Sequence, residues 1–171
     1  RPPFHSPDQA TFAAAYGEAM RQTATAALGL ARCFELGNED NGPTKQLYSE
    51  VARHGAAGVR VAQPEALLAN SGTAFVDLGW LEMQAARGVL DGLDALCTHP
   101  YTVQESPEAW SVYERLGQVA EVIDRLGGMK QQWTTEFGWH HEFSQPRRAE
   151  WIPRHLLLGA AAGLDRHGLY T

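Results

Sequence analysis

Basic clusters, long apolar runs and cysteine are all scarce in this chain. Its 14 Lys and Arg stand against 20 Asp and Glu, for a net charge of −6, and the longest basic run is Arg147-Arg148. A phosphate backbone needs a basic face, so nucleic acid is excluded as a partner, and Arg147-Arg148 reads as a surface patch at a helix start. No apolar run approaches the roughly 18 to 20 residues of a membrane span, which excludes a membrane partner of that kind. Two cysteines, Cys33 and Cys97, are too few for a disulfide framework or a cysteine zinc site. They read as buried thiols on strands that are not neighbours. Gly-x-Gly-x-x-Gly, Gly-x4-Gly-Lys-Ser/Thr, Gly-x-Ser-x-Gly and His-Glu-x-x-His are all missing. Nothing therefore calls for a nucleotide, a nucleophilic serine, a metal or any other cofactor. His140-His141-Glu142 has the composition of a metal site but not the spacing, since adjacent residues on an extended loop point apart.

What is present is an ordinary globular composition, 44% hydrophobic and 20% charged over 171 residues, enough to order a backbone. Ser6-Pro7-Asp8-Gln9 is a helix-start signal, and an Ala-rich helix runs from it to about Leu28. A strand is expected over 30–37, a helix near 44–55, a strand at Val59–Ala62, and a helix near 74–91. A strand over Leu93–Thr98 follows, then a helix from Ser106-Pro107-Glu108 to Leu126, where Gly127-Gly128 stops it. Lys130–Thr135 is the next strand, 148–166 the next helix, and Leu169-Tyr170-Thr171 begins one more strand. Trp80, Trp110 and Trp151 fall in helices and are expected to pack against the sheet.

Single strands alternating with single helices imply a parallel sheet. A doubly wound sheet and a (β/α)8 barrel both fit. A full barrel takes about 250 residues, and about five strands are present here. The opening helix has no strand before it, and the first residue is Arg1. The expectation is one domain over 1–171, an incomplete α/β barrel whose first strands are missing. Secretion and cytoplasmic residence both remain open.

Polar residues gather where the strands stop. One strand ends Gly37-Asn38-Glu39-Asp40, another Thr98-His99-Pro100-Tyr101, another Thr134-Thr135-Glu136-Phe137-Gly138-Trp139. In parallel α/β folds the carboxyl ends of strands form the active face. Two glutamates facing across a pocket suit glycoside hydrolysis, in which one protonates the leaving oxygen and the other attacks or activates water. Glu35, inside its strand, reads as a partner of a neighbouring barrel residue.

Phe34-Glu35-Leu36-Gly37-Asn38-Glu39, His99-Pro100-Tyr101 and Trp133-Thr134-Thr135-Glu136-Phe137-Gly138-Trp139, in that order, resemble the clan A glycoside hydrolases. These are retaining (β/α)8-barrel glycosidases, and the likeness is to families 39, 79 and 5. It covers nearly the whole chain, from the third helix to the start of the eighth strand. Asp40 stands where many members have Pro. The resemblance implies that Glu39 is the acid/base, with a raised pKa, and Glu136 the ionised nucleophile. It implies that Asn38 bonds the sugar 2-hydroxyl, Tyr101 orients Glu136, and His99 lines the pocket. Trp139 would offer an apolar face to a sugar ring. The substrate class implied is carbohydrate. A non-catalytic carbohydrate-binding barrel, or a fragment inactive alone, is the competing expectation.

Overall fold

The computed structural model describes residues 9–42, 45–128, 130–139 and 144–170. The helix-start signal at Ser6-Pro7-Asp8 and the His140-His141-Glu142 run lie outside the described residues. The elements are α1 (Gln9–Ala26), β1 (Cys33–Leu36), α2 (Lys45–Ala62), β2 (Leu67–Asn70), β3 (Thr73–Ala74) and α3 (Leu78–Ala86). A 3-10 turn at Leu90–Gly92 leads to β4 (Ala95–His99), α4 (Val112–Arg125), β5 (Gln131–Thr134), α5 (Gln145–Ala161) and β6 (Arg166–His167). The strands run parallel in the order β1-β2-β4-β5-β6, with β3 paired to β4. No described helix is long and apolar enough to cross a membrane.

Strand alternation sorts the side chains onto two faces. Phe34, Leu36, Leu68 and Leu96 point outward into one large core with Tyr48, Trp80, Leu81, Val119, Val122 and Ile123 of the helices. Each such buried side chain contributes about 1.5–3 kcal/mol. Ala69, Ala95, Cys97 and Trp133 face the other way into a smaller cluster. Asp94 and Asp165 tie the strand starts together in the same manner. Asp94 Oδ2 accepts from Leu68 N at 2.8 Å, and Asp165 Oδ2 accepts from Gln132 N at 2.8 Å.

The expected strand at Val59–Ala62 is instead the last turn of α2, and the strand is β2. Gly55 and Gly58 lie inside this helix, and both serve close packing of α1 on α2. A Cβ on Gly58 would enter the backbone oxygen of Gly17, and one on Gly17 would lie 2.7 Å from His54 O. The strand expected at Leu169-Tyr170-Thr171 lies earlier, at Arg166–His167. Ser106-Pro107-Glu108 does not start α4. It makes a turn in which Ser106 Oγ accepts from Ala109 N at 3.2 Å, and Trp110 lies in that turn ahead of the helix.

Replacing Gly58 with Ala should therefore force α1 and α2 apart. The expected loss is about 1–3 kcal/mol, the usual cost of overpacking, read from urea denaturation.

Candidate functional site

Glu39 sits on a loop that leaves β1 and is held by the end of β2. Its N–H donates to Gly72 O at 2.9 Å, and Asp40 N–H donates to Ser71 Oγ at 3.0 Å. Ser71 N–H in turn donates to the buried Tyr48 Oη at 2.7 Å. These bonds hold Glu39 at φ 54°, a left-handed conformation that a side-chain-bearing residue adopts at a cost. Asn70-Ser71-Gly72, read from sequence as loop, is thus the anchor of the Glu39 segment. The signal was the short apolar run Leu67-Leu68-Ala69 ahead of it.

Alternation puts Glu35, Cys97, His99 and Thr135 on one face of three strands and their continuations. Thr135 is their hub. Its hydroxyl donates to Glu35 Oε2 at 2.7 Å, lies 2.9 Å from His99 Nε2, and lies 3.1 Å from Cys97 Sγ. A hydroxyl has one hydrogen to give, and Glu35 takes it, so His99 Nε2–H and the Cys97 thiol are the donors to Thr135. Burial pushes the Cys97 thiol pKa up, which keeps its proton in place. Glu35 Oε1 also accepts from Gly72 N at 2.6 Å.

His99 is fully buried, and its other nitrogen faces the two glutamates. Nδ1 lies 3.2 Å from Glu39 Oε1 and 3.9 Å from Glu136 Oε2. Burial favours the neutral imidazole. The Glu35 and Glu39 carboxylates, 3.5 and 3.2 Å from its two nitrogens, outweigh it and push the pKa up. With Nε2–H bonded to Thr135, Nδ1 is the nitrogen that meets Glu39 Oε1. The facing carboxylate oxygens of Glu39 and Glu136 lie within 4.8 Å of each other.

Tyr101 Oη donates to Glu136 Oε2 at 2.9 Å. Burial, then the Glu136 carboxylate, push the phenol pKa up, so it remains a donor. Behind Glu136, Phe137 stacks on His155 with ring centroids 4.1 Å apart. His155 Nε2–H donates to Pro100 O at 3.2 Å, and His155 Nδ1 lies 3.1 Å from His167 Nε2. Since Nε2 carries the His155 proton, His167 Nε2–H is the donor of that second bond. This packing fixes the chain on either side of Glu136.

Asn38 is exposed beside Glu39. Trp139, expected to face a sugar, is only 4% exposed. It packs edge-on to Phe137 and lies 5.6 Å from Trp151, so in this structure its ring belongs to the wall of the site. Sequence reasoning missed Thr135 and Ser71, whose short polar side chains carry no motif.

Among the described residues, two sets of metal-type ligand atoms lie within 4.8 Å of one another: Glu35, Cys97 and His99, and Glu39, His99 and Glu136. Bonding through the Thr135 hydroxyl accounts for the first grouping, and the Nδ1 contacts of His99 with Tyr101 on Glu136 account for the second.

No protein-family model and no curated protein matches the chain. Solved structures do match. A family 39 glycoside hydrolase from the gut symbiont Bacteroides cellulosilyticus WH2 superposes with a TM-score of 0.78 at 16% identity, over 93% of this chain and 38% of that one. A family 39 β-xylosidase from Caulobacter crescentus gives 0.65 at 19% identity, over 92% and 38%. An exo-β-1,4-mannosidase from Opitutaceae bacterium strain TAV5 gives 0.66 at 19%, over 99% and 35%. The chain thus spans well under half the length of these structures. At such identities the likeness shows the fold alone: a run of parallel strands and helices shared with part of these glycosidase barrels.

The titrations predict two limbs of pH-dependent stability. Burial lowers the pKa of His155 and His167 from 6.5 to about 4. Between those values the unfolded chain binds more protons, so stability should fall as pH drops from 6.5 to 4. His99 runs the other way, so its contribution should be full below pH 6.5 and lost as pH rises toward 10. Thermal melts across pH should show both limbs, and His99→Gln should flatten the alkaline one. Thr135→Val, which strands the Glu35 and His99 partners, should cost about 1–3 kcal/mol in denaturant titration.

Proposed function

We propose that this chain carries the catalytic pair of a retaining glycoside hydrolase, and that residues 1–171 are the C-terminal portion of its barrel. The observation that carries the reading is that one carboxylate oxygen of Glu39 and one of Glu136 lie within 4.8 Å of each other, both facing His99 Nδ1 at the carboxyl ends of the strands. Carboxyl groups about 5–5.5 Å apart suit double displacement, and about 6.5–9.5 Å would leave room for the water of an inverting enzyme.

In this mechanism Glu136 attacks the anomeric carbon, its free Oε2 held by Tyr101. Glu39 protonates the leaving oxygen and then takes a proton from the incoming water. Asn38, exposed beside Glu39, bonds the sugar 2-hydroxyl as oxocarbenium character develops. The substrate is a carbohydrate, either a glycoside or an oligo- or polysaccharide. No cofactor enters any step. The fold shared with family 39 and mannosidase structures supports this chemistry by analogy.

Glu136→Ala should abolish hydrolysis of activated aryl glycosides. Glu39→Ala should slow substrates with poor leaving groups far more than those with good ones, because only the former need the acid. Proton NMR of the first-formed sugar should show retained anomeric configuration. Full activity in the Glu136 variant would sink the assignment. Sugar binding without turnover, unchanged by either variant, would favour the non-catalytic barrel.

A further inference from the structure

Four non-glycine residues adopt positive φ among the described residues: Glu39, Phe75, Val103 and Ser111. All four lie in loops that leave the carboxyl ends of strands, the side on which Glu39 and Glu136 meet. Strain of this kind persists only where surrounding bonds impose it, and it concentrates at functional sites. Glu39 is accounted for above. Phe75 is not.

Phe75 has φ 59° and is 44% exposed, so neither backbone preference nor burial explains an aromatic there. Its surroundings hold it in place. Asn41, two residues after Glu39, accepts from Ala74 N at 2.8 Å and donates to Ala74 O at 3.2 Å. Thr73 Oγ1 donates to Phe75 O at 2.7 Å. The Phe75 backbone also bridges to His99, the residue that faces both glutamates. Phe75 is therefore tied to the Glu39 loop on one side and to the centre of the site on the other.

Phe75 does not stand alone. The Trp110 ring lies 6.1 Å away, inclined at 41°. Arg115 fixes that ring, its guanidinium 4.1 Å over the face and its Nε donating to Trp110 O at 2.9 Å. A ring sandwiched between two others needs them about 7–8 Å apart, twice the carbon contact distance. These two are too close and too inclined for that, so they present one apolar corner to solvent. A pyranose offers its C–H face to such a surface while its hydroxyls stay with water and polar groups.

We propose that Phe75 and Trp110 form a platform for a sugar ring beside Glu39. The proposal rests on the glycosidase reading for its orientation. The acid protonates the leaving oxygen, so a ring held from the Glu39 loop belongs to the leaving group.

The test is isothermal titration of the chain with xylotetraose, mannotetraose and cellotetraose, repeated with Phe75→Ala and Phe75→Trp. At least one sugar should bind saturably, Phe75→Ala should weaken it about 10-fold, and Phe75→Trp should hold it within about 3-fold. Melting of Phe75→Ala should occur close to that of the wild type, because the ring is nearly half exposed. A melting temperature that falls together with binding would make Phe75 a packing residue and overturn the proposal. So would equal affinity of Phe75→Ala and wild type, or no saturable binding of any of the three sugars. In turnover, kcat/KM of Phe75→Ala should fall about 10-fold more for the tetraose than for the matching glycosyl fluoride, whose leaving group has no ring. Equal falls would overturn the leaving-group placement. Binding needs no turnover, so a chain that binds through Phe75 without hydrolysis would sink the glycosidase reading and leave the platform standing.

Discussion

The hydroxyl of Thr135 joins three strands at the mouth of the sheet, and the geometry of the site follows from it. It takes hydrogens from His99 and Cys97 and gives its own to Glu35. That arrangement sets which nitrogen of His99 is protonated toward the barrel and turns the other toward Glu39 and Glu136. Glu35 passes the constraint on through Gly72, whose carbonyl receives the N–H of Glu39. One half-buried hydroxyl thus orients the central imidazole, and its glutamate partner fixes the loop of the proposed acid. A buried network of this kind specifies a geometry because every member is satisfied.

The space for this network is made by a residue that has no side chain. A Cβ on Gly72 would collide with His99 Nε2 and lie 2.7 Å from Glu35 Oε1. The same device works at the outside of the fold, where Gly17 and Gly58 let α1 and α2 touch backbone to backbone. Close approach, and not turn-making, is the use of glycine in both places.

The two glutamates proposed as the catalytic pair were legible because polar groups at strand ends leave a residue-type signature. Glu39 and Glu136 each follow an apolar strand and open a polar loop. Alternation of apolar and polar blocks was enough to imply a parallel α/β fold. The β1 and β5 strands lay inside the segments expected for them. β2 was missed because four residues, Leu67-Leu68-Ala69-Asn70, carry too little pattern to compete with a helix of eighteen. Trp139 drew attention for its type, but type does not say which neighbours a ring will find. Phe75 fell inside the helix expected near 74–91, yet it stands before α3 in a strained loop.

Local chemistry thus determined which residues end strands, which loops are polar and which chemistry two such glutamates suit. Those facts depend on near neighbours in the chain and survive without a partner. The tertiary structure alone decided that Glu39 and Glu136 approach each other, that His99 faces both, and that Thr135 orders them. It also set the strain at Glu39 and Phe75, since positive φ is imposed there by bonds from Gly72, Ser71 and Asn41, more than thirty residues distant in sequence. Distances between strand ends come from the register of the parallel ladder, and register is a property of the sheet as a whole.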